Sequence, residues 1–507
     1  MFICRVEGNW RKPDENSVQE PYIKSPDATR PNSQGPVQYP DNPGARHRLA
    51  LSLLDSRQLA EAQTMARTAL ADQPESAIWL DVLGMALMLG RQFEEARPHF
   101  ERARELAPDY PEPYANLAIL HEQANCLDAA FEVIEDGLKR WPASVTLRFV
   151  RARCQRRKGK YKDAQPALQE LLHGPLTTKL HLDIEFELAW CADAAGENIE
   201  AFRHFSQANS LAGKLSRYQA AMNANYLQMI VSLGQRFGRD WIRSWRELPR
   251  VESRDDPVFI VGFPRSGTTL LDTLLGAHAG FAILEEQPVL QSMLESLTTY
   301  PGGYPDGLAS LTTEQQMTLR AGYRQTAAAV IGAHDTQRLL DKSPFHTAHV
   351  GAIQRIFPGA PILFVTRHPF DVALSCFMTN FELNGGTVHF TALASTVKLY
   401  CEMMSLWLRY ARQLPLNFRQ VRYEDLLAEP QRELRRILEF IGLPWSDAVL
   451  DNVAQAGTRG PVANASYAQI GRPLYSEAHG RWRRYAQYLE PYREQLQPYI
   501  RDFGYED

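Results

Sequence analysis

The sequence predicts two kinds of folded domain in succession: an α-helical solenoid of repeats and then a three-layer α/β domain with a central parallel sheet. From about residue 45 to residue 215, apolar residues follow helical spacing in a pattern that repeats. From residue 257 the pattern changes to short β-branched strands that alternate with helices, as in parallel sheets. A chain of 507 residues also exceeds what one hydrophobic core usually serves.

The period of the helical region is 34 residues. It is marked by prolines and alanines that recur in register: Pro74, Pro108 and Pro142, and Ala62, Ala96, Ala130 and Ala164. This is the period of tetratricopeptide repeats, whose paired helices stack because one pair alone cannot bury its apolar face. We expect units at about 43–74, 75–108, 109–142, 143–176 and, more loosely, 182–215. The concave face of such a solenoid either binds an extended peptide or serves as a scaffold, and both alternatives stay open.

The other domain boundaries follow from composition. The first 44 residues hold seven prolines among polar residues and show no apolar periodicity, which favours disorder. The sequence therefore predicts four segments: a disordered Pro-rich leader at 1–44, the repeat domain at 45–215, a helical linker at 216–254 and the α/β domain at 255–507.

Charge and cysteine usage limit the classes of protein. A formal net charge of −4 gives no bulk electrostatic case for nucleic acid, so an anion site would have to be local. Six scattered cysteines without a CxxC pair favour a reducing compartment. No apolar run approaches the roughly 18 residues that a membrane span needs. We expect a soluble, cytoplasmic protein without a membrane span.

The segment Gly262-Phe-Pro-Arg-Ser-Gly-Thr-Thr269 follows a predicted buried strand and opens a helix. It matches the phosphate-loop pattern G-x-x-x-x-G-K-[ST] except that Thr268 replaces the lysine. The lysine of that pattern reaches the β- and γ-phosphates of a triphosphate, so a triphosphate is poorly served here. Backbone N–H groups at a helix N-terminus, two threonine hydroxyls and Arg265 suit a smaller terminal anion.

Two segments carry a resemblance to a known family. Pro264-Arg-Ser-Gly-Thr-Thr269 resembles the 5′-phosphosulfate loop of sulfotransferases that use 3′-phosphoadenosine 5′-phosphosulfate (PAPS), and Arg367-His-Pro-Phe-Asp-Val-Ala-Leu-Ser375 resembles their 3′-phosphate motif. The resemblance covers about residues 255–490 and is greatest to tyrosylprotein sulfotransferases and to bacterial proteins that join such a domain to tetratricopeptide repeats. It implies a P-loop-like fold, PAPS as donor and an acceptor hydroxyl, with tyrosine in a peptide or protein favoured.

The resemblance also implies roles for particular residues. In the pair Glu285-Glu286 the second glutamate corresponds to the catalytic base, although Gln287-Pro288 follows it where the family has Thr-Arg. The other implied catalytic residues are Lys342, Arg265 and Ser466. The implied donor-binding residues are Arg265, Ser266, Gly267, Thr268, Thr269, Arg367, Ser375, Tyr423, Ser466, Arg472 and Arg481, the last two standing where the family has lysines.

Other functions remain as alternatives at this point. A glycan or small-molecule hydroxyl could be the acceptor, a small-molecule kinase could use the same loop, and a repeat-based binding protein could carry a degenerate nucleotide domain. Thr268 speaks against the kinase. His346, His349 and His389 match no ligand spacing, so no metal is expected. Expected partners are a peptide or protein acceptor and no nucleic acid, and a homodimer is left open.

Overall fold

The computed structural model describes residues 42–248, 256–332, 337–450 and 479–506. The chain divides into two compact units. Within the described residues the first unit comprises 42–122 and 126–154, and the second comprises 123–125 and the remainder from residue 155.

Paired helices make up the first unit. Their bounds are α1 (Pro43–Asp55), α2 (Leu59–Asp72), α3 (Ala77–Leu89), α4 (Phe93–Leu106), α5 (Glu112–Gln123), α6 (Leu127–Arg140) and α7 (Val145–Arg157). The periodic alanines Ala62, Ala96 and Ala130 are fully buried, because only a small side chain lets the helices of a pair approach. A Cβ atom at Gly84 would lie 2.6 Å from the ring of Phe100, so α3 and α4 lie too close together for any side chain at residue 84. The predicted repeat solenoid is confirmed.

Among the described residues, six more helices precede the sheet in the second unit. They are α8 (Tyr161–Leu171), α9 (Thr178–Ala195), α10 (Asn198–Ala212), α11 (Ser216–Asn223), α12 (Tyr226–Arg236) and α13 (Arg239–Arg243). Ala164 and Ala201 are fully buried and continue the alanine pattern. Residues 216–243 form three short helices, which belong to the second compact unit.

The sheet has five parallel strands in the order β2-β3-β1-β4-β5. The strands are β1 (Val258–Gly262), β2 (Phe281–Glu285), β3 (Arg338–Lys342), β4 (Ile362–Thr366) and β5 (Phe418–Arg422). The side chains of β1 and β4 are buried on both faces, which is why these strands read as continuous apolar runs.

The helices of the sheet domain follow the strands in chain order. Their bounds are α14 (Thr268–Leu275), α15 (Val289–Thr298), α16 (Gly303–Ser310), α17 (Thr313–Ile331), α18 (Val350–Ile356), α19 (Pro369–Phe377), α20 (Leu393–Gln413), α21 (Tyr423–Ala428), α22 (Pro430–Ile441), α23 (Ala486–Leu489) and α24 (Arg493–Asp502). The sequence predicts a single helix over 345–357, but the structure has a 3₁₀ segment at Pro344–His349 before α18. That segment begins at a proline directly after β3, and its tighter turn brings His346 back to the strand.

Two apolar cores cover the two faces of the sheet. Val258 and Ile260 pack with α14 and α22 on one face. Phe259 and Val261 lie on the other face with α17 to α20 and α24. Phe205 of α10 belongs to this second core, so α9 and α10 share a core with the sheet domain. The predicted three-layer α/β architecture is confirmed.

The predicted domain bounds differ from the bounds of the two compact units. The first unit ends at residue 154, inside the predicted repeat domain, because the later helical pairs pack with the sheet domain. The bounds at 44, 215 and 254 remain predictions. In the parts of the chain that the structure describes, no helix combines the length and apolarity that crossing a bilayer requires.

Candidate active site

Four strands deliver polar residues to one edge of the sheet. In a parallel sheet the carboxyl ends of the strands lie together, and ligands bind outside that edge. The loop of Arg265 follows β1, Glu286 follows β2, Lys342 ends β3 and Arg367 follows β4. These four residues therefore lie at one edge of the sheet because of the strand order.

The loop after β1 has the backbone conformation of an anion site. Arg265 and Gly267 have φ angles of 70° and 106°, so the chain turns through left-handed positions before α14 begins at Thr268. A Cβ atom at residue 267 would lie 2.5 Å from the Tyr423 ring, which is why glycine is required there. The hydroxyl of Ser266 is buried and has no hydrogen-bond partner among the described residues. A buried hydroxyl of this kind, directly before the N-terminus of α14, is placed to hydrogen-bond an anion.

Arg265 joins the loop to α19. Its Nε donates a hydrogen bond of 3.1 Å to Oγ of Ser375, one of the predicted donor-binding residues. Burial, together with the nearby cations of Arg367 and Arg481, lowers the pKa of Arg265 to about 10. Three guanidinium groups that repel one another favour an anion between them.

Arg367 is held between the loop and β5. Its Nη1 donates to the carbonyl oxygen of Arg265 at 3.4 Å, and its guanidinium carbon lies 5.0 Å from the centre of the Tyr423 ring. The next residue, His368, donates its backbone N–H to Glu424 at 3.0 Å, which fixes the turn after β4. Tyr423 thus contacts both predicted arginine-bearing segments.

Arg481 is positioned by residues that the sequence did not single out. Its guanidinium carbon lies 5.3 Å from the centre of the Trp190 ring of α9. The buried carboxylate of Asp371 accepts hydrogen bonds from the backbone N–H groups of Gly480 and Trp482 at 2.7 and 2.9 Å, and so fixes the backbone on either side of Arg481. One further residue of α9, Asp193, accepts from the Tyr485 hydroxyl at 2.7 Å.

A buried lysine and two carboxylates form the second part of the site. Nζ of Lys342 donates to Oε1 of Glu286 at 2.8 Å and to Oε1 of Glu285 at 3.2 Å, and the Lys342 side chain is fully buried. Burial alone would lower the pKa of Lys342, but the charges of Glu286 and Glu285 outweigh it and raise that pKa above its usual value. The lysine is therefore a fixed cation.

The two glutamates differ in access to solvent. The side chain of Glu286 is 41% exposed, whereas that of Glu285 is 20% exposed. Glu286 has a φ of 52°, and its backbone N–H donates to the carbonyl oxygen of Lys342 at 2.9 Å. This left-handed backbone turns the second glutamate of the pair out of the strand while its carboxylate keeps contact with the lysine. Glu286 thus has the access that a base requires.

The histidines near β3 belong to a buried network. His346 contacts Asp341 through Nε2 at 3.1 Å, and Asp341 also accepts from the Tyr323 hydroxyl at 2.6 Å. His349 contacts the Tyr304 hydroxyl at 2.9 Å, and burial lowers the pKa of His349 to about 3. A neutral, buried imidazole of this kind supports packing. Across the described residues, no group of three His, Cys, Asp or Glu side chains is arranged to hold a metal ion.

The structure brings most of the predicted site residues together. Arg265, Ser375, Arg367, Tyr423 and Gly267 are in mutual contact or separated by one neighbour. Ser466 and Arg472 lie outside the described residues. The catalytic and donor-binding roles of all these residues remain predictions.

Three positioning residues were missed by sequence reasoning. They are Trp190, Asp193 and Asp371, which fix the segment that carries Arg481. Asp371 lies within segment 367–375, four residues after Arg367. A carboxylate at helical spacing from an arginine is a signal that could have identified it. Trp190 and Asp193 read as ordinary residues of a repeat helix, so no local signal marks them.

The fold and the site define an α/β domain with a loop suited to an anion, and comparisons with known proteins bear on its family. Residues 257–447 match the sulfotransferase family, and residues 47–111 and 116–175 match the tetratricopeptide repeat. Residues 257–447 are thus similar to the sulfotransferase family, and the helices at residues 47–175 are similar to tetratricopeptide repeats.

Two curated relatives each match about half of the chain. An uncharacterized protein of Aquifex aeolicus (strain VF5) is 30% identical over 252 residues, which are 48% of this chain and 32% of that protein. Protein-tyrosine sulfotransferase 1 of Danio rerio is 25% identical over 252 residues, which are 46% of this chain and 68% of that protein. The chain therefore spans about a third of the Aquifex protein. The solved sulfotransferase domain from the curacin biosynthetic pathway is 19% identical with a TM-score of 0.34, and the match covers 50% of this chain and 99% of that domain.

Proposed function

We propose that this protein transfers the sulfuryl group of PAPS to the hydroxyl of a tyrosine in a peptide or protein. The observation that carries the proposal is the ammonium of Lys342, bonded to Glu286 at 2.8 Å, at the same sheet edge as the loop of Arg265. A base, a fixed cation and an anion site at one edge are what transfer from a charged donor to a hydroxyl requires.

Features of the loop support PAPS as the donor. The Ser266 hydroxyl is buried without a partner among the described residues, and the backbone of Gly267 leaves no space for a side chain. Arg265 would bind the 5′-phosphosulfate, and Arg367 and Arg481 would bind the 3′-phosphate. Because a bisphosphate carries negative charge at both ends, it would offset the burial and the repulsion from Arg367 and Arg481 that lower the pKa of Arg265.

Each residue then has a defined task in the reaction. The donor supplies the sulfuryl group. Glu286 accepts the proton of the acceptor hydroxyl as the new oxygen–sulfur bond forms. Lys342 neutralises the charge that develops on the bridging phosphate oxygen as the old sulfur–oxygen bond breaks, and Arg265 with the hydroxyls of Thr268 and Thr269 binds the remaining oxygens. Ser466 would help to hold the departing phosphate.

Tyrosine is the favoured acceptor for two reasons. Several relatives at about 25% identity are named protein-tyrosine sulfotransferases. The chain also joins its sulfotransferase domain to repeats of a kind that binds extended peptides. A glycan or small-molecule hydroxyl is the alternative acceptor.

A peptide library tests the proposal directly. Full-length protein is incubated with PAPS and matched peptides that carry tyrosine, serine or phenylalanine at one position, and mass spectrometry locates the modification. We expect sulfation of the tyrosine series alone. Sulfation of sugars or small phenols but of no peptide would overturn the proposal that tyrosine is the acceptor. Modification with ATP in place of PAPS would overturn the proposal that PAPS is the donor.

A further inference from the structure

The first unit contains a cavity of about 480 Å³, inside the range of small-ligand sites. Its walls come from α1, α3, α5 and the segment that leads into α7. Most of the wall is apolar, with Leu51, Met85, Ile119 and Trp141 as its larger side chains. The cavity is thus an apolar container formed by successive repeats.

One end of the cavity is acidic. Asp81 is 1% exposed, accepts a hydrogen bond of 2.9 Å from Nδ2 of Asn116 and is also bonded to the Tyr110 hydroxyl. Oε2 of Glu112 is buried and has no hydrogen-bond partner among the described residues. Two carboxyl groups from different repeats therefore face the same apolar space.

No permanently charged cation in the described lining of the cavity pairs with these two carboxyl groups. Its described lining contains neither lysine nor arginine. His47 is the only described basic group in the lining, and burial together with the charge of Arg48 lowers the pKa of His47. Burial raises the pKa of Asp81 to about 7, with Glu112 adding to the effect, and burial also raises the pKa of Glu112. Ionising these buried carboxyls costs free energy that a bound cation would recover.

We propose that this cavity binds an extended peptide segment that inserts a lysine or arginine side chain, with its charged end at Asp81 and Glu112. Such side chains have an apolar stem and a cationic end, which matches apolar walls that lead to two carboxyls. An acidic segment would add like charge to the same end and is excluded by repulsion. This inference concerns partner binding by the repeats and holds whether or not the second unit transfers sulfate.

Binding of defined peptide pools tests the inference. Full-length protein at pH 8, without donor, is titrated with fluorescent heptapeptide pools whose central residue is lysine, norleucine or glutamate. Norleucine keeps most of the apolar stem and removes the charge. We expect the lysine pool to bind at least about tenfold more tightly than the norleucine pool and the glutamate pool to bind weakest. Equal binding of the three pools, or no binding of any, would overturn the proposal.

Matched variants locate the site. Asp81→Asn keeps the shape and can still accept from Asn116, so it should fold and lose the preference for lysine over norleucine. Asp72→Asn, at an exposed end of α2, is the control and should keep that preference. Glu112→Gln provides a second test and should weaken lysine binding alone. If lysine preference survives both cavity variants, the basic side chain does not bind here.

Discussion

At the scale of single residues, Glu286 occupies a strained backbone position next to the cation that it contacts. A φ of 52° is rare for a residue other than glycine and costs on the order of 1–3 kcal/mol. The bond from its backbone N–H to the carbonyl oxygen of Lys342 holds this conformation. Backbone and side chain of the same glutamate are therefore both tied to Lys342, which fixes the direction of the carboxylate.

Replacing Glu286 by glutamine should remove the base and preserve the shape. We expect kcat of Glu286→Gln to fall by about 10²- to 10⁴-fold, because an amide cannot accept the proton. Donor affinity, measured by calorimetry, should change little. Glu285→Gln is the matched control and should keep most of its activity. If the control loses activity and Glu286→Gln does not, the base is Glu285.

The threonine at position 268 predicts the nucleotide preference. Adenosine 3′,5′-bisphosphate should bind far more tightly than ATP, because the lysine that serves a triphosphate is absent and arginines surround the loop. Calorimetry with and without magnesium measures both affinities. Equal affinities, or binding of ATP only in the presence of magnesium, would favour a kinase.

Asp81 should make the stability of the first unit depend on pH. Its pKa rises from 3.8 to about 7 on folding, so the folded state keeps a proton that the unfolded state releases between those values. Stability contributed by the neutral carboxyl is thus lost as the pH rises through that window. Asp81→Asn should stabilise the unit by an amount that grows over that window to at most about 4 kcal/mol. Calorimetric melting at pH 5 and pH 8 measures the change, and an equal gain at both would contradict the prediction.

At the scale of helices and strands, the sequence determines most of the site. Strands that end at Gly262, Lys342 and Thr366 could be predicted from apolar runs, and parallel pairing then brings the residues after each strand to one edge. The alanine period likewise predicts the repeats. No local pattern reveals which helix packs beside Arg481, because a contact between residues some 290 positions apart leaves no periodic signal. The left-handed backbone at Glu286 could not be predicted from the sequence either, because glutamate does not favour that conformation.

The contact of α9 with Arg481 predicts a role for Trp190. Trp190→Leu should weaken binding of adenosine 3′,5′-bisphosphate by about 2- to 30-fold, which corresponds to the loss of one cation–π contact with Arg481. The KM for the donor should rise while kcat at saturating donor stays nearly constant. Trp190→Phe keeps an aromatic face and should recover part of the affinity. A melting temperature that falls without a change in donor affinity would show a purely structural role.

At the scale of the whole molecule, the second unit combines helices α8 to α13 with the sheet domain. Phe186 and Phe205, from α9 and α10, share one apolar core with Phe259 and Phe364 of the sheet. The ring of Phe202 stacks on that of Tyr488 with centres 3.6 Å apart. These helices therefore contribute to the stability of the domain that carries the site.

Two truncated proteins test whether α9 and α10 are part of the fold of the second unit or of a separable repeat domain. A protein that begins at residue 155 should fold and bind adenosine 3′,5′-bisphosphate as the full chain does, whereas one that begins at residue 216 should aggregate or lose donor binding. Circular dichroism and calorimetry of the two proteins measure this. A folded, donor-binding protein from residue 216 onward would show that α9 and α10 are dispensable.

The shared core of α9 and α10 has a consequence for how this architecture can be recombined. Repeat arrays are usually exchangeable modules, because each unit contacts only its neighbours. Here an exchange at residue 215 would separate Trp190 and Asp193 from the segment of Arg481 that they hold. Replacing or lengthening the helices that end before residue 155 would leave Trp190 and Asp193 in place. We therefore expect exchange of repeats to be tolerated within the first unit, whereas α9 and α10 should stay with the sheet domain.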